Sequence, residues 1–216
     1  MPTPTWQRLD PARRERIVTA AMEEFGRHGY SAGSLNTVAR DAGVAKGSLF
    51  QYFDDKLDLF QHVAETAAQR VRDALSSWLG TIPEGTTYHA FFCGAVLAWV
   101  DYFADHPLER GVIAATHLEI DPQVRAAVRA PVRRLYTAEV TSLARRAVER
   151  GDFRPDARPE IFASLVSVLL PYLAVAPFEQ GFEGPVALYG LTRDELRASV
   201  TELAAGLYAG FGPVPA

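Results

Sequence analysis

The chain has 216 residues, 48% of them hydrophobic, and a formal net charge of −4. This content excludes a disordered polymer and is typical of a globular protein with a substantial core. The acidic balance argues against a general nucleic-acid coat protein, which would carry a large excess of Lys and Arg. The single cysteine, Cys93, is expected to be a core residue, and the lack of any disulfide partner favours a cytoplasmic location.

The first helix is predicted to begin at Pro11, after the N-cap Asp10, and to end near Gly29. A second begins after Ser34, whose hydroxyl suits an N-cap, and buries the face of Leu35, Val38, Ala39 and Ala42. Gly43 suits the left-handed position that ends a helix, and Val44 fills the corner.

A third short helix is predicted over residues 46–53, with Leu49 and Phe53 turned inward. Its outward side would consist of a cation, a hydroxyl, an amide and aromatic rings, namely Lys46, Gly47, Ser48, Phe50, Gln51 and Tyr52. Two short helices joined at a glycine are typical of a helix-turn-helix, which lays its second helix in the major groove of DNA. The alternative is an ordinary helical hairpin with a polar solvent face.

The rest of the chain also has helical periodicity, with no strand-like alternation. Further helices are predicted over residues 56–79, 85–105, 107–118, 122–151, 159–177 and 192–210, which makes an all-α fold of nine helices. Pro131 should bend the seventh helix, and Thr192 with Glu195 forms a capping box at the ninth. No apolar signal core is visible at the N-terminus, and residues 161–178 are marginal in length for a membrane span, so no membrane partner is expected.

The helix-turn-helix segment resembles the N-terminal domain of TetR/AcrR-type transcriptional regulators. The resemblance covers residues 10–60 and rests on Gly29-Tyr30, Ser34-Leu35, Val38-Ala39, Ala42-Gly43-Val44, Lys46-Gly47-Ser48-Leu49, Tyr52-Phe53, Lys56-Leu57 and Leu59-Phe60. It implies a three-helix DNA-binding head over residues 1–55 and a six-helix ligand-binding and dimerisation body over residues 56–216. It also implies a one-component regulator, usually a repressor that a small molecule releases from its operator.

The resemblance also assigns positions that would contact a double-stranded DNA operator. They are Ser34, Asn36, Thr37, Lys46, Gly47, Ser48, Phe50, Gln51, Tyr52 and Lys56. Two residues depart from the family pattern, because Phe50 replaces a common Tyr and Ala45 replaces a common Ser or Thr cap. Residues 1–60 carry eight Lys or Arg and eight Asp or Glu, so this head is formally neutral and its affinity for DNA must come from how the charges are arranged.

A ligand site for a flat or greasy effector is predicted among the body helices. Its candidate residues are Phe92, Trp99, Tyr102, Phe103, His117, Tyr136, Phe162, Leu165, Leu169 and Tyr172. Plain core packing is the alternative for each aromatic ring taken singly. Neither His117 nor His89 has a partner at metal-ligand spacing, so no metal is expected. No cofactor is expected either.

The last two helices are predicted to pair with their symmetry mates in a homodimer. The eighth is apolar nearly all round and therefore needs a second burial partner. The predicted interface residues are Phe162, Val166, Leu170, Leu196, Val200, Leu203 and Leu207. Twofold symmetry would then present two recognition helices to a pseudo-palindromic site.

Other classes of function would carry other sequence signals. The sequence has no GxSxG, HExxH, Walker A or glycine-rich dinucleotide motif, which argues against an enzyme. A helical small-molecule carrier without specific DNA binding is one alternative. An activator or a ligand-independent repressor of the same family is another.

Overall fold

The computed structural model describes residues 2–182 and 184–213, with the backbone alone at positions 134 and 135. Within these ranges every regular element is a helix. The α-helices are α1 (Pro4–Gln7), α2 (Pro11–Ala32), α3 (Leu35–Asp41), α4 (Lys46–Tyr52), α5 (Lys56–Ala74), α6 (Tyr88–Asp105), α7 (Pro107–Leu118), α8 (Pro122–Glu149), α9 (Pro159–Val175) and α10 (Arg193–Ala209). A 3₁₀ turn over Ser76–Trp78 follows α5.

The all-helical prediction is confirmed for the described residues, but the predicted count of nine is not. The one-turn helix α1 precedes the first predicted helix, and the end of the predicted fourth helix is the separate 3₁₀ turn. Local capping agrees with the sequence. Asp10 accepts a hydrogen bond from the backbone N–H of Arg13, and Thr192 and Glu195 form the expected capping box.

The chain divides into two compact units. Unit 1 comprises Met1–Arg70 and His106–Arg133, and unit 2 comprises Val71–Asp105 and Arg134–Ala216. Helices α5 and α8 each continue from one unit into the other. These units are defined by packing, so the functional division predicted at residue 55 stays a prediction.

In unit 1, helix α2 packs against α3 and α7. Phe25 of α2 and Phe60 of α5 are fully buried, with their ring centroids 5.0 Å apart. The crossing of α2 and α7 is made by two glycines. A Cβ atom on Gly111 would lie 3.0 Å from the Cα of Gly26, so the two backbones touch without a side chain between them. Helix α7 is therefore held directly on the helix that supports α3.

An arginine links three helices of unit 1. The guanidinium of Arg70 on α5 donates to Glu109 of α7 at 3.0 Å and to Glu15 of α2 at 2.6 Å. Glu109 is 6% exposed, and a buried carboxylate needs such a partner because removal from water costs free energy. The network adds a directional contact to the apolar packing of the same helices.

In unit 2, helix α6 packs against α9 and α10. An aromatic cluster lies at the centre, in which Phe162 of α9 is fully buried. Its ring centroid lies 5.0–5.8 Å from those of Phe92, Phe153, Phe211 and Tyr88. Burial raises the pKa of the Tyr88 phenol, so that ring stays neutral. Phe153 and Phe162 are among the largest fully buried side chains of the described residues.

Two further findings concern the described part of the chain. None of its helices has the length and apolarity needed to cross a membrane. Cys93 is buried, and its burial raises the pKa of the thiol.

Candidate nucleic-acid interface

The start of α3 is fixed by two hydrogen bonds at Ser34. Its side chain accepts from the backbone N–H of Thr37 at 3.4 Å, as expected for an N-cap. Its own backbone N–H donates to the carboxylate of Glu24, a buried residue of α2, at 2.7 Å. The predicted cap is confirmed, and a buried carboxylate that the sequence analysis did not single out ties it to α2.

The turn between α3 and α4 has the predicted geometry. Gly43 has a φ of 66°, the left-handed region that favours glycine. Backbone N–H groups close the turn, since Gly43 donates to Arg40 at 3.1 Å and Val44 donates to Ala39 at 2.9 Å. As expected, Ala45 gives α4 no side-chain cap. The direction of α4 therefore depends on backbone bonds and on packing.

At most positions of helix α4 the buried and exposed sides are those that the sequence predicted. Leu49 is 2% exposed and the residue after the helix, Phe53, is 1% exposed. The exposed side consists of Lys46, Gly47, Phe50 and Gln51, with Ser48 half-buried beside them. Phe50 is 49% exposed, which is unusual for a large apolar side chain.

The first turn of α3 adds polar groups to this part of the surface. Asn36 is exposed, and Thr37 is half-buried. A phenyl ring and an amide on one helix face can meet a thymine methyl and a base edge, and a cation and hydroxyls can meet phosphates. The exposed side of α4 together with Asn36 is called the α4 surface below.

The predicted outward position of Tyr52 is wrong. Its side chain is 4% exposed, and its ring lies 5.8 Å from that of Trp6. The reason is helix α1, which packs against α4 and covers the end of that helix. Tyr52 therefore belongs to the core of unit 1 and not to the α4 surface.

Lys56 is also engaged within the protein. Its ammonium group donates to the carbonyl of Ser31 at 3.1 Å and lies 4.6 Å from the ring centroid of Tyr30. Burial lowers the pKa of Lys56, and the nearby carboxylates of Glu119 and Glu24 oppose this shift. Its predicted phosphate contact stays a prediction.

The acidic residues after α4 have structural partners. Asp55 accepts from the backbone N–H of Asp58 at 2.8 Å, which is a capping interaction at the start of α5. Asp58 accepts from the backbone N–H of Asp54 at 3.3 Å and is 7% exposed. Carboxylates at a helix N-terminus are stabilised by the helix dipole. Part of the negative charge that makes residues 1–60 formally neutral is therefore engaged in hydrogen bonds at the start of α5.

Sequence reasoning missed helix α1, which contacts the end of α4. The sequence Thr3-Pro4 did carry a signal, because a hydroxyl residue followed by proline often begins a helix. Trp6 is 5% exposed in the structure. A four-residue helix with one large apolar residue is too short for periodicity to reveal.

The predicted ligand residues fall into three groups. Phe92, Phe103 and Phe162 are buried among other rings of unit 2, and Trp99 donates its indole N–H to the carbonyl of Leu170 at 2.8 Å. Tyr102, Tyr136, Leu169 and Tyr172 are half-buried in the same unit. Leu165 is 44% exposed and faces outward instead of into the core.

His117 differs from the other ligand candidates because it belongs to unit 1. Its Nδ1 donates to the carbonyl of Ile113 at 2.9 Å, a bond within α7. Burial lowers the pKa of the imidazole, and the hydrogen bond to the backbone opposes this shift. The ring is thus held by its own helix.

The predicted dimer residues are only partly available to another subunit. Phe162, Val166, Leu196 and Val200 are buried inside their own chain, whereas Leu170, Leu203 and Leu207 are half-buried. The exposed apolar side chains of α9 are Ile161, Leu165 and Val168, at 44%, 44% and 75%. The sequence missed this face because α9 is apolar nearly all round, so periodicity could not say which side faces the core.

The comparisons with known proteins agree with this geometry. Residues 17–63 match the family model of bacterial regulatory proteins, tetR family. These residues include α3, the turn and α4. The HTH-type transcriptional regulator BetI of Klebsiella pneumoniae (strain 342) is 28% identical over 78 residues, which are 36% of this chain. The chain thus spans 40% of the length of this relative.

Solved structures extend the likeness in fold to almost the whole chain. A TetR family transcriptional regulator from Chloroflexus aurantiacus J-10-FL has a TM-score of 0.65 at 18% identity, covering 99% of this chain and 100% of that one. The transcriptional regulator FadR from Bacillus subtilis, solved in complex with stearoyl-CoA, has a TM-score of 0.68 at 15% identity, covering 88% and 97%. Residues 17–63 therefore carry a helix-turn-helix of the tetR family of bacterial regulatory proteins, and the chain as a whole shares the fold of the solved regulators.

Proposed function

We propose that the chain is a one-component transcriptional regulator that binds a pseudo-palindromic DNA operator as a homodimer. The observation that carries this proposal is the α4 surface. It presents Lys46, Phe50 and Gln51 to solvent on a short helix whose other side is anchored by buried Leu49. It lies within the residues that match the family model. A helix of this kind fits the width of the major groove.

The homodimer is proposed through the exposed apolar face of α9. Ile161, Leu165 and Val168 lie at spacings of four and three residues and so share one side of the helix. The remaining candidates for this contact are half-buried Leu170 of α9 and half-buried Leu203 and Leu207 of α10. Apolar area left on a helix face is stabilised by burial against a second copy, and twofold pairing matches a palindromic site.

A small hydrophobic effector is proposed to release the protein from DNA, which makes it a repressor. Support comes from the aromatic side chains of unit 2 and from the fold shared with FadR, whose structure holds stearoyl-CoA. The effector acts only if it binds one conformation more tightly than the other. Helices α5 and α8 each contain residues of both units, so the conformational change can be transmitted along the same helices.

The DNA-binding part is tested with operators selected from random duplexes by the full-length protein. Gln51→Ala should cost about 1–3 kcal/mol on the selected site and relax the preference for one base pair. Lys46→Ala should weaken binding to all duplexes and lower the slope of log affinity against log salt by about 1. Arg145→Ala removes a cation from an exposed position of unit 2 and should change neither quantity.

The dimer is tested by sedimentation equilibrium. Leu165→Glu with Val168→Glu places two charges on the exposed face of α9 and should yield a monomer that loses affinity for the palindrome. Val186→Glu is the matched control, because Val186 is 42% exposed outside the helices. Absence of any selected duplex, together with binding of fatty acyl compounds in a thermal-shift screen, would favour the helical carrier instead.

A further inference from the structure

Helix α4 has little stability of its own. It has seven residues, and isolated helices of this length are unstable in water. Its N-cap residue, Ala45, makes no side-chain hydrogen bond. The last carbonyl groups of any helix also lack partners within the helix. The orientation of the α4 surface must therefore depend on contacts outside α4.

The carbonyl groups at the end of α4 are bound by Thr3. The backbone N–H of Thr3 donates to the carbonyl of Tyr52 at 2.9 Å. The hydroxyl of the same residue donates to the carbonyl of Gln51 at 2.7 Å. One residue near the N-terminus thus supplies two donors to the last turn of α4, which is the role that a C-terminal capping residue has in other helices.

Trp6 holds this segment in place. The indole is buried, with ring-centroid distances of 4.9 Å to Phe53 and 5.2 Å to His62. Phe53 directly follows α4, and His62 belongs to α5. Helix α1 itself is closed by a hydrogen bond from the backbone N–H of Trp6 to the carbonyl of Thr3 at 3.0 Å. A backbone hydrogen bond therefore links the tryptophan anchor to the residue that supplies the threonine donors.

We propose that residues 3–7, here called the N-terminal strap, are a positioning element that caps the C-terminal end of α4 and holds the α4 surface in the orientation that binds DNA. The positioning of the α4 surface for DNA rests on the proposed function, whereas the capping of α4 does not. The capping itself is a property of the free protein. Thr3 and Trp6 act through α4, and neither is assigned a contact with DNA.

Amide hydrogen exchange of the free full-length protein tests the capping. Thr3→Val removes one donor, so exchange at Gln51, Tyr52 and Phe53 should become about 5-fold faster, the ratio that corresponds to about 1 kcal/mol for one net hydrogen bond. Thr3→Pro removes both donors at a residue whose φ of −68° already suits proline, and should accelerate exchange further. Amides of α2 should not change.

Two control variants separate capping from a general loss of stability. Thr3→Ser keeps the hydroxyl and the N–H and should retain the exchange rates of the original protein. Thr5→Val makes the same chemical change within the N-terminal strap at an exposed position and should also have no effect. Equal acceleration in α2 and α4, or an effect of Thr5→Val as large as that of Thr3→Val, would overturn the proposal.

Binding to the selected duplex then tests the positioning. Thr3→Pro should weaken binding about tenfold or more, whereas Thr3→Ser should bind as the original chain does. Faster exchange in α4 without any change in affinity would contradict the positioning role. If no duplex is selected, the proposed function fails, while the exchange data still decide whether the strap caps α4.

Discussion

In unit 1 the backbones of two helices meet at Gly26 and Gly111 with no side chain between them, whereas the centre of unit 2 is filled by the rings of Tyr88, Phe153 and Phe162. Unit 1 also keeps charged and titratable groups in its interior, among them Glu109. These two places should therefore respond to opposite changes. The Gly26–Gly111 crossing should be sensitive to added atoms, and the aromatic centre of unit 2 should be sensitive to lost atoms.

The largest effect should come from emptying the aromatic centre of unit 2. Phe162→Ala removes a fully buried ring and should lower the free energy of unfolding by about 3–5 kcal/mol, because the transfer free energy is lost and a cavity remains. Urea denaturation at fixed protein concentration measures this change. Phe50→Ala, at a 49% exposed ring, is the control and should stay within about 0.5 kcal/mol.

A smaller effect should come from overfilling the helix crossing of unit 1. Gly111→Ala places a methyl group 3.0 Å from the Cα of Gly26 and should cost about 1–2 kcal/mol after the gain in helix propensity is subtracted. Gly47→Ala is the matched change in α4, where a Cβ atom meets nothing within 4 Å. It should leave stability equal or slightly higher. A stabilised Gly111→Ala protein would show that the crossing relaxes easily and would remove the contrast between the units.

The smallest effect should be a pH dependence that originates in unit 1. Burial lowers the pKa of His62, and Asp58 opposes this shift, so the folded protein favours the neutral imidazole. The unfolded chain binds more protons once the pH is below the ordinary histidine pKa of 6.5. The free energy of unfolding should therefore be constant above that pH and fall as the pH drops below it, by at most about 1.4 kcal/mol per pH unit for one proton.

Unfolding curves between pH 8 and about pH 5 measure this slope. His62→Gln should reduce it, and His117→Gln should do the same, because burial lowers the pKa of both imidazoles. His28 is 54% exposed, and His28→Gln is the control. A slope that survives both substitutions in unit 1 would place the titrating groups elsewhere in the chain.

Local signals predicted the helix-turn-helix well. The Ser34 cap, the left-handed Gly43 and the buried Leu49 each depend on residues within a few positions, so composition and spacing were enough. Tyr52 was assigned to the wrong side because Trp6, which covers it, lies far away in the sequence. The contacts of Lys56 with Ser31 and Tyr30 were likewise not predicted, because both partners lie about 25 residues earlier in the chain.

The sequence by itself determined the all-helical class, the ends of most helices and the helix-turn-helix, because caps, glycines and hydrophobic periodicity act over one or two turns. Tertiary structure alone decided which side of α9 stays exposed, how α1 closes the end of α4, and that Gly26 meets Gly111. The physical reason is that burial is a property of distant neighbours. An apolar side chain is buried where another segment of the chain packs over it, and it stays exposed where no segment does.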